Sequence, residues 1–159
     1  MLYKEVQRFT QWWLWLILLS IATIPFMGIY QQTILDQSFG DQPMSDGGLV
    51  TFAILTLLLL LFFAFIRLTT TITAKEIQIN FSPFVNKSIK WEAIEKVEVL
   101  DYGFVGGWGI RLFTSYGTVY NIRGRKGLAI TLKNGNKILV GTQQPQALSN
   151  AVHKIAFKK

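Results

Sequence analysis

The acidic side chains that could do chemistry are concentrated between positions 92 and 101. Glu92, Glu95, Glu98 and Asp101 recur every third residue. Paired carboxylates work as general acid and base when a cleft raises the pKa of one of them. The valines on either side of Glu98 instead indicate a strand, which would turn Glu95 and Glu98 to opposite faces. The spacing therefore favours a solvated face over a catalytic pair or a metal site.

A glycine-rich run occupies positions 103–109. It lacks the Gly-Lys-Ser/Thr ending of a P-loop and the spacing of the dinucleotide fingerprint. We interpret Gly107, Trp108, Gly109 and Arg111 as a structural motif, because glycines also suit a loop that enters a curved strand. Trp108 would anchor the core or lie at a membrane interface. For Arg111 three roles stay open: a surface strand position, a buried ion-pair partner or an anion ligand.

Basic side chains dominate the second half of the chain. Residues 102–159 contain nine Lys or Arg and no acidic residue. The candidate contacts for an anionic surface are Arg123, Arg125, Lys126, Lys133 and Lys137. Three interpretations of these residues remain open: contact with anionic lipid, contact with an acidic protein partner, or a solvated charge. In the first case each side chain would contribute about 1 kcal/mol to membrane binding. A nucleic-acid partner is not expected, because the chain carries membrane spans.

Composition excludes several classes of enzyme. Of 159 residues, 50% are apolar and 16% are charged, against roughly 25% charged in a soluble domain. With no cysteine and a single histidine, His153, the chain has no disulfide, thiolate nucleophile, cysteine-bound metal or two-histidine metal motif. We expect no catalytic residues and no cofactor.

Two apolar runs are long enough to span a membrane. We place the spans at about 12–30 and 49–66, each close to the thickness of the hydrocarbon core. Trp12, Trp13 and Trp15 at one end of the first run and Tyr30 at the other form an aromatic belt. A cleaved signal peptide is the alternative for the first run, but its apolar stretch is longer than usual and has no small-residue cleavage site.

Flanking charges predict the orientation. Basic residues precede the first span, and Arg67 follows the second, whereas the connection 31–48 carries only acids. The positive-inside rule then places both termini in the cytoplasm and the short acidic loop outside. Residues 1–11 show an apolar helical face, which predicts an amphipathic helix on the cytoplasmic surface. The membrane hairpin would thus occupy residues 1–67.

From residue 68 onward the pattern predicts a β domain that extends to residue 159. Short alternating segments follow one another at near-regular spacing, and Asn134-Gly135 is a strong hairpin signal. Leu148, Ala151, Val152 and Ile155 then mark one face of a closing helix that begins near Pro145. The fold class is therefore α+β: two spans, an antiparallel barrel or sandwich of about seven strands, and a C-terminal capping helix.

Three stretches resemble the bacterial pleckstrin-homology-like family, whose domains are often fused to a two-helix membrane hairpin. They are LTTTITAKEIQINF at 68–81, IKWEAIEKVEV at 89–99 and GLAITLKNGNKILVGTQQPQAL at 127–148. The resemblance implies a seven-strand domain with one capping helix and a location at the bacterial cytoplasmic membrane. Eukaryotic relatives hold phosphoinositides near the first hairpin, but here that turn carries Lys75 beside Glu76.

The expected function is a non-enzymatic one. We expect a two-pass scaffold or regulator that acts by self-association, as a homo-oligomer, or by binding another membrane protein. The alternative is a sensor of anionic lipid surfaces that uses the basic turn 123–126. Membrane lipids are expected partners in both cases.

Overall fold

The computed structural model describes residues 1–156. The chain forms two compact units. One contains the helical segment Thr10–Phe65, and the other contains Met1–Phe9 together with the chain from Ile66 onward. Residues 157–159, which the sequence assigned to the β domain, lie outside the described residues.

The helical unit consists of two antiparallel apolar helices, α1 (Trp12–Thr33) and α2 (Asp46–Phe65). Both are long and apolar enough to cross a membrane, with lengths of about 33 and 30 Å. Small residues line their contact: an added Cβ on Gly28 would lie 2.9 Å from the Leu49 side chain. Such close packing is typical of helices that associate within lipid.

The N-terminal segment is a strand, β1 (Tyr3–Arg8), so the predicted helix over residues 1–11 is wrong. β1 pairs antiparallel with the first strand after the helices, in a register that joins Arg8 to Arg67. Its inward side chains are the polar residues Tyr3, Glu5 and Gln7. Because polar residues fill the buried face, hydropathy gives no sign of the alternation.

The first sheet has four strands in chain order, each antiparallel to the next. After β1 come β2 (Arg67–Ile72), β3 (Glu76–Ser82) and β4 (Val85–Lys90). The apolar members of the alternating pattern face inward: Leu68, Ile72, Ile77 and Ile79 have no exposed surface.

The second sheet has five strands in the order β5-β8-β9-β7-β6. A 3-10 turn at Trp91–Ala93 leads into this sheet, whose strands are β5 (Ile94–Asp101), β6 (Gly109–Thr114), β7 (Gly117–Asn121), β8 (Lys126–Leu132) and β9 (Lys137–Thr142). The hairpin predicted at Asn134-Gly135 is confirmed, because Gly135 has a φ of +83° and β8 pairs antiparallel with β9.

The expectation of a single antiparallel barrel of about seven strands needs correction. Within the described residues 1–156, eight strands follow the helices and β1 precedes them; these nine form two sheets that do not close into one barrel. β7 and β9 are also parallel. Hairpin signals identify neighbours along the chain, but the pairing of β7 with β9 joins strands separated by a whole intervening strand.

The core lies between the sheets and is covered by α3 (Pro145–Ala156). Leu148, Ala151 and Val152 of α3 are buried, with Ile155 packed against them, so the helix and its predicted apolar face are confirmed. A smaller cluster of Tyr102, Val119 and Leu139 is separate from this core.

Candidate functional site

The buried polar side chains of β1 fasten the N-terminal strand to the end of β9. The Glu5 carboxylate, only 5% exposed, accepts hydrogen bonds from the Tyr3 hydroxyl at 2.6 Å, the Thr142 hydroxyl at 2.7 Å and the Gln143 backbone N–H at 2.8 Å. Gln7 Nε2 donates to the Gly141 carbonyl at 2.7 Å. Every donor around Glu5 belongs to the fold itself, so this buried carboxylate has a structural role.

The environment of Tyr3 reflects the same burial. Desolvation, together with the hydrogen bond to Glu5, raises the pKa of the Tyr3 hydroxyl far above its usual value. Burial also raises the pKa of Tyr102 and of Tyr120. All three hydroxyls therefore keep their protons to a higher pH in the folded protein than a tyrosine in water does.

The acidic cluster of the sequence is spread out in the structure. Glu92 lies in the 3-10 turn, while the other three line β5, and all four are exposed. Glu98 pairs with Lys96 at 2.9 Å, and Asp101 accepts from the Gly103 N–H at 2.9 Å and lies 3.5 Å from Arg125. Among the described residues, no group of three His, Cys, Asp or Glu side chains could hold a metal ion.

The glycine-rich run is the loop from β5 to β6, and its glycines are needed by the backbone. Gly103, Gly106, Gly107 and Gly109 all have positive φ, which side chains with a Cβ rarely adopt. Asn121 Nδ2 lies 3.4 Å from the Gly107 carbonyl oxygen. The loop is thus held by its own protein contacts.

Arg111 lies within β6 and is half-buried. Its side chain folds back so closely on Gly107 that a Cβ there would lie 2.3 Å from Nη2. The Nε atom is buried without a hydrogen-bond partner within the described chain. Trp108 is 40% exposed, so it is only partly covered.

The five basic candidates do not form one zone. Arg123 and Arg125 lie in the bend between β7 and β8, and Lys126 begins β8. Lys133 and Lys137 lie at the opposite end of the β8–β9 hairpin, where Thr131 pairs with Lys137. Five residues of strand, about 17 Å, separate the two groups. All five side chains are exposed.

A groove that the sequence did not reveal lies beside Lys137. We call it the hairpin groove and define it by six of its lining residues: Lys87, Leu112, Phe113, Thr118, Asn136 and Lys137. It brings together β4, the β6–β7 hairpin and the β8–β9 hairpin. Its lining is therefore basic, polar and apolar at once.

Phe113 stands out within this groove. It is 99% exposed and has a φ of +58°, in the left-handed region that costs a residue with a Cβ about 1–2 kcal/mol. The register of β6 against β7 shifts between Arg111 and Thr114, which is a bulge that re-aims side chains. The alternating pattern over 109–113 predicts a strand that ends at Phe113, with Tyr116-Gly117 as the turn signal after it.

The predicted membrane-interface anchors lie at helix or strand ends. Trp12, Trp13 and Trp15 occupy the first turn of α1, and Tyr30 lies in its last turn. Trp12 is 75% and Tyr30 57% exposed. Arg67 is the first residue of β2 and is exposed. Helix-end positions are where interfacial aromatic side chains are expected.

No protein-family model, no curated protein and no solved structure matches this chain.

Proposed function

We propose that this chain is a two-pass membrane protein whose β-sheet unit is a non-enzymatic docking module. The module works as a scaffold or regulator, by self-association or by binding another membrane protein. We further propose that it belongs with the bacterial pleckstrin-homology-like domains and is located in the cytoplasmic membrane with both termini inside.

The observation that carries this proposal is the insertion of the helix pair between two neighbouring strands. Three residues, Phe9–Gln11, connect β1 to α1, and a single residue, Ile66, connects α2 to β2. Since β1 and β2 are hydrogen-bonded neighbours, the chain has to leave and return on the same side of a bilayer. This arrangement ties the β-sheet unit to the membrane by two connections, which suits a docking module beside a membrane partner.

The sheet edges supply places where a partner could bind. β1 and β4 border the first sheet, and β5 and β6 border the second. Backbone groups along such edges can accept an added strand from another chain. Glu5 and Glu98 both have hydrogen-bond or ion-pair partners within the fold.

The experiment is a crosslinked purification of the full-length protein from its native membrane, followed by the mass of the complex. A stoichiometric second protein, or a fixed multiple of 18.1 kDa, is the expected result. A protein that remains a monomer at native abundance, with no stoichiometric partner, would refute the docking role.

Orientation is tested separately. The chain has no cysteine, so single variants Ser38→Cys and Asn150→Cys each provide a unique thiol. An impermeant maleimide added to intact cells should label the first and spare the second. The reverse pattern would overturn the proposed topology.

A further inference from the structure

The hairpin groove carries two unfavourable features at a single residue. Phe113 exposes nearly its whole side chain to water, and its backbone has a positive φ. Neighbouring Leu112 is also 58% exposed. Strain that persists on an exposed side chain is characteristic of functional positions, and a projecting apolar pair indicates a surface that binds something.

Charge identifies what that partner must be. Lys87 and Lys137 line the groove, and Lys133 lies in the adjoining turn. Glu98, which lines a neighbouring groove with Lys137, is engaged by Lys96 at 2.9 Å. A second copy docked through the same groove would present the same lysines to these lysines, whereas an anionic surface would complement them.

We propose that the hairpin groove and Phe113 bind the anionic surface of a phospholipid bilayer. An aromatic side chain that projects between lysines fits the interface, where the ring enters the boundary of the acyl chains and the ammonium groups remain at the phosphates. The inference rests on only one part of the proposed function, the two membrane-spanning helices, because a chain anchored in this way always has lipid nearby.

The test uses the full-length protein reconstituted into vesicles. Ser115, exposed and beside the groove, is replaced in Ser115→Cys, which supplies a unique thiol for an environment-sensitive fluorophore. Vesicles of phosphatidylcholine, with or without phosphatidylglycerol, carry a quencher on the lipid acyl chains. We expect stronger quenching in the anionic vesicles and little quenching of the same fluorophore at Asn150→Cys.

Matched variants distinguish this surface from general proximity. Phe113→Ser should abolish the additional quenching, whereas Phe104→Ser, which replaces another exposed phenylalanine at 82%, should retain it. Neutralising Lys87 and Lys137 together (Lys→Gln) should lower the bound-to-free ratio by about 25-fold, because each lysine near an anionic leaflet contributes roughly a fivefold factor. Neutralising Arg123 and Arg125 instead should leave the ratio unchanged.

Three results would overturn the inference. Equal quenching in neutral and anionic vesicles would remove the role of charge. Loss of quenching with the Arg123 and Arg125 variants, but not with the lysine variants, would transfer the contact to the basic turn. If the thiol of Ser115→Cys is protected from maleimide in native membranes but not in vesicles, the groove binds an acidic protein partner instead. Because the vesicle assay contains no second protein, its outcome is independent of whether the purification finds a complex.

Discussion

Replacing the buried carboxylate of Glu5 tests how β1 is attached to the rest of its unit. Glu5→Ala removes the acceptor for the Tyr3 hydroxyl, the Thr142 hydroxyl and the Gln143 N–H. Hydrogen bonds to a charged group each contribute about 1.5–3 kcal/mol, but these losses do not add fully. The two hydroxyls already lie 3.3 Å apart and can bond to each other once the carboxylate is gone.

The expected cost is therefore that of one strong bond plus a partly buried N–H without a partner. This amounts to about 3 kcal/mol, or roughly 150-fold in the opening equilibrium of β1. Glu5→Gln keeps the length of the side chain and one acceptor oxygen, so its cost should be about 1–2 kcal/mol. Val6→Ala, at an outward position that is 49% exposed, is the matched control and should change the free energy by about 0.5 kcal/mol or less.

Hydrogen exchange measured by mass spectrometry on the reconstituted protein gives the readout. Peptides that cover β1 and the β9–α3 junction should exchange much faster in Glu5→Ala, while peptides that cover β4 should change little. If Glu5→Ala exchanges no faster than Val6→Ala across β1, the three hydrogen bonds do not hold the strand and the reasoning is refuted.

Three further predictions follow from the same geometry. Gly117→Ala should cost about 3 kcal/mol or more, because positive φ alone costs about 1–2 kcal/mol and its Cβ would lie 2.1 Å from the Lys137 carbonyl oxygen. Gly135→Ala, also at positive φ but in open space, should cost only about 1 kcal/mol in urea unfolding, and equal costs would contradict the clash. The raised pKa of Tyr3, Tyr102 and Tyr120 means that the unfolded chain loses these protons first, so stability is full below about pH 10 and falls as pH rises above it. Tyr3→Phe should make that fall shallower in unfolding measured from pH 8 to 11, and an unchanged slope would count against it. Phe113→Gly should stabilise the protein by about 1 kcal/mol by relieving the left-handed backbone while weakening its binding to anionic vesicles, and a destabilised variant would show that Phe113 packs rather than projects.

Local patterns in the sequence determined most of the elements. The apolar runs predicted both long helices, because a helix of that length and composition leaves few other solutions. The period-two segments predicted a series of short strands after the second helix, and Asn134-Gly135 predicted its hairpin, because alternation and turn chemistry act between residues close in the chain. The same holds for α3, whose buried face follows from helical spacing.

The tertiary structure alone decided how those elements combine. β1 was missed because its inward residues are Tyr3, Glu5 and Gln7. Their distant partners are Gly141, Thr142 and Gln143, which lie more than 130 positions away and make their burial tolerable. The parallel pairing of β7 with β9 likewise has no signal in the sequence of either strand.

The candidate site shows the same division. The sequence grouped five basic residues as candidates for one surface. The extended β8–β9 hairpin places Arg123 and Lys137 at opposite ends, so the neighbours of Lys137 are Lys87 and Phe113 and not Arg123. Composition and spacing identified the helices, the strands and the excess of positive charge, because those depend on neighbours along the chain. Which charges share a surface, and which aromatic ring stands exposed among them, depend on contacts between distant segments, and those exist only after the sheets have formed.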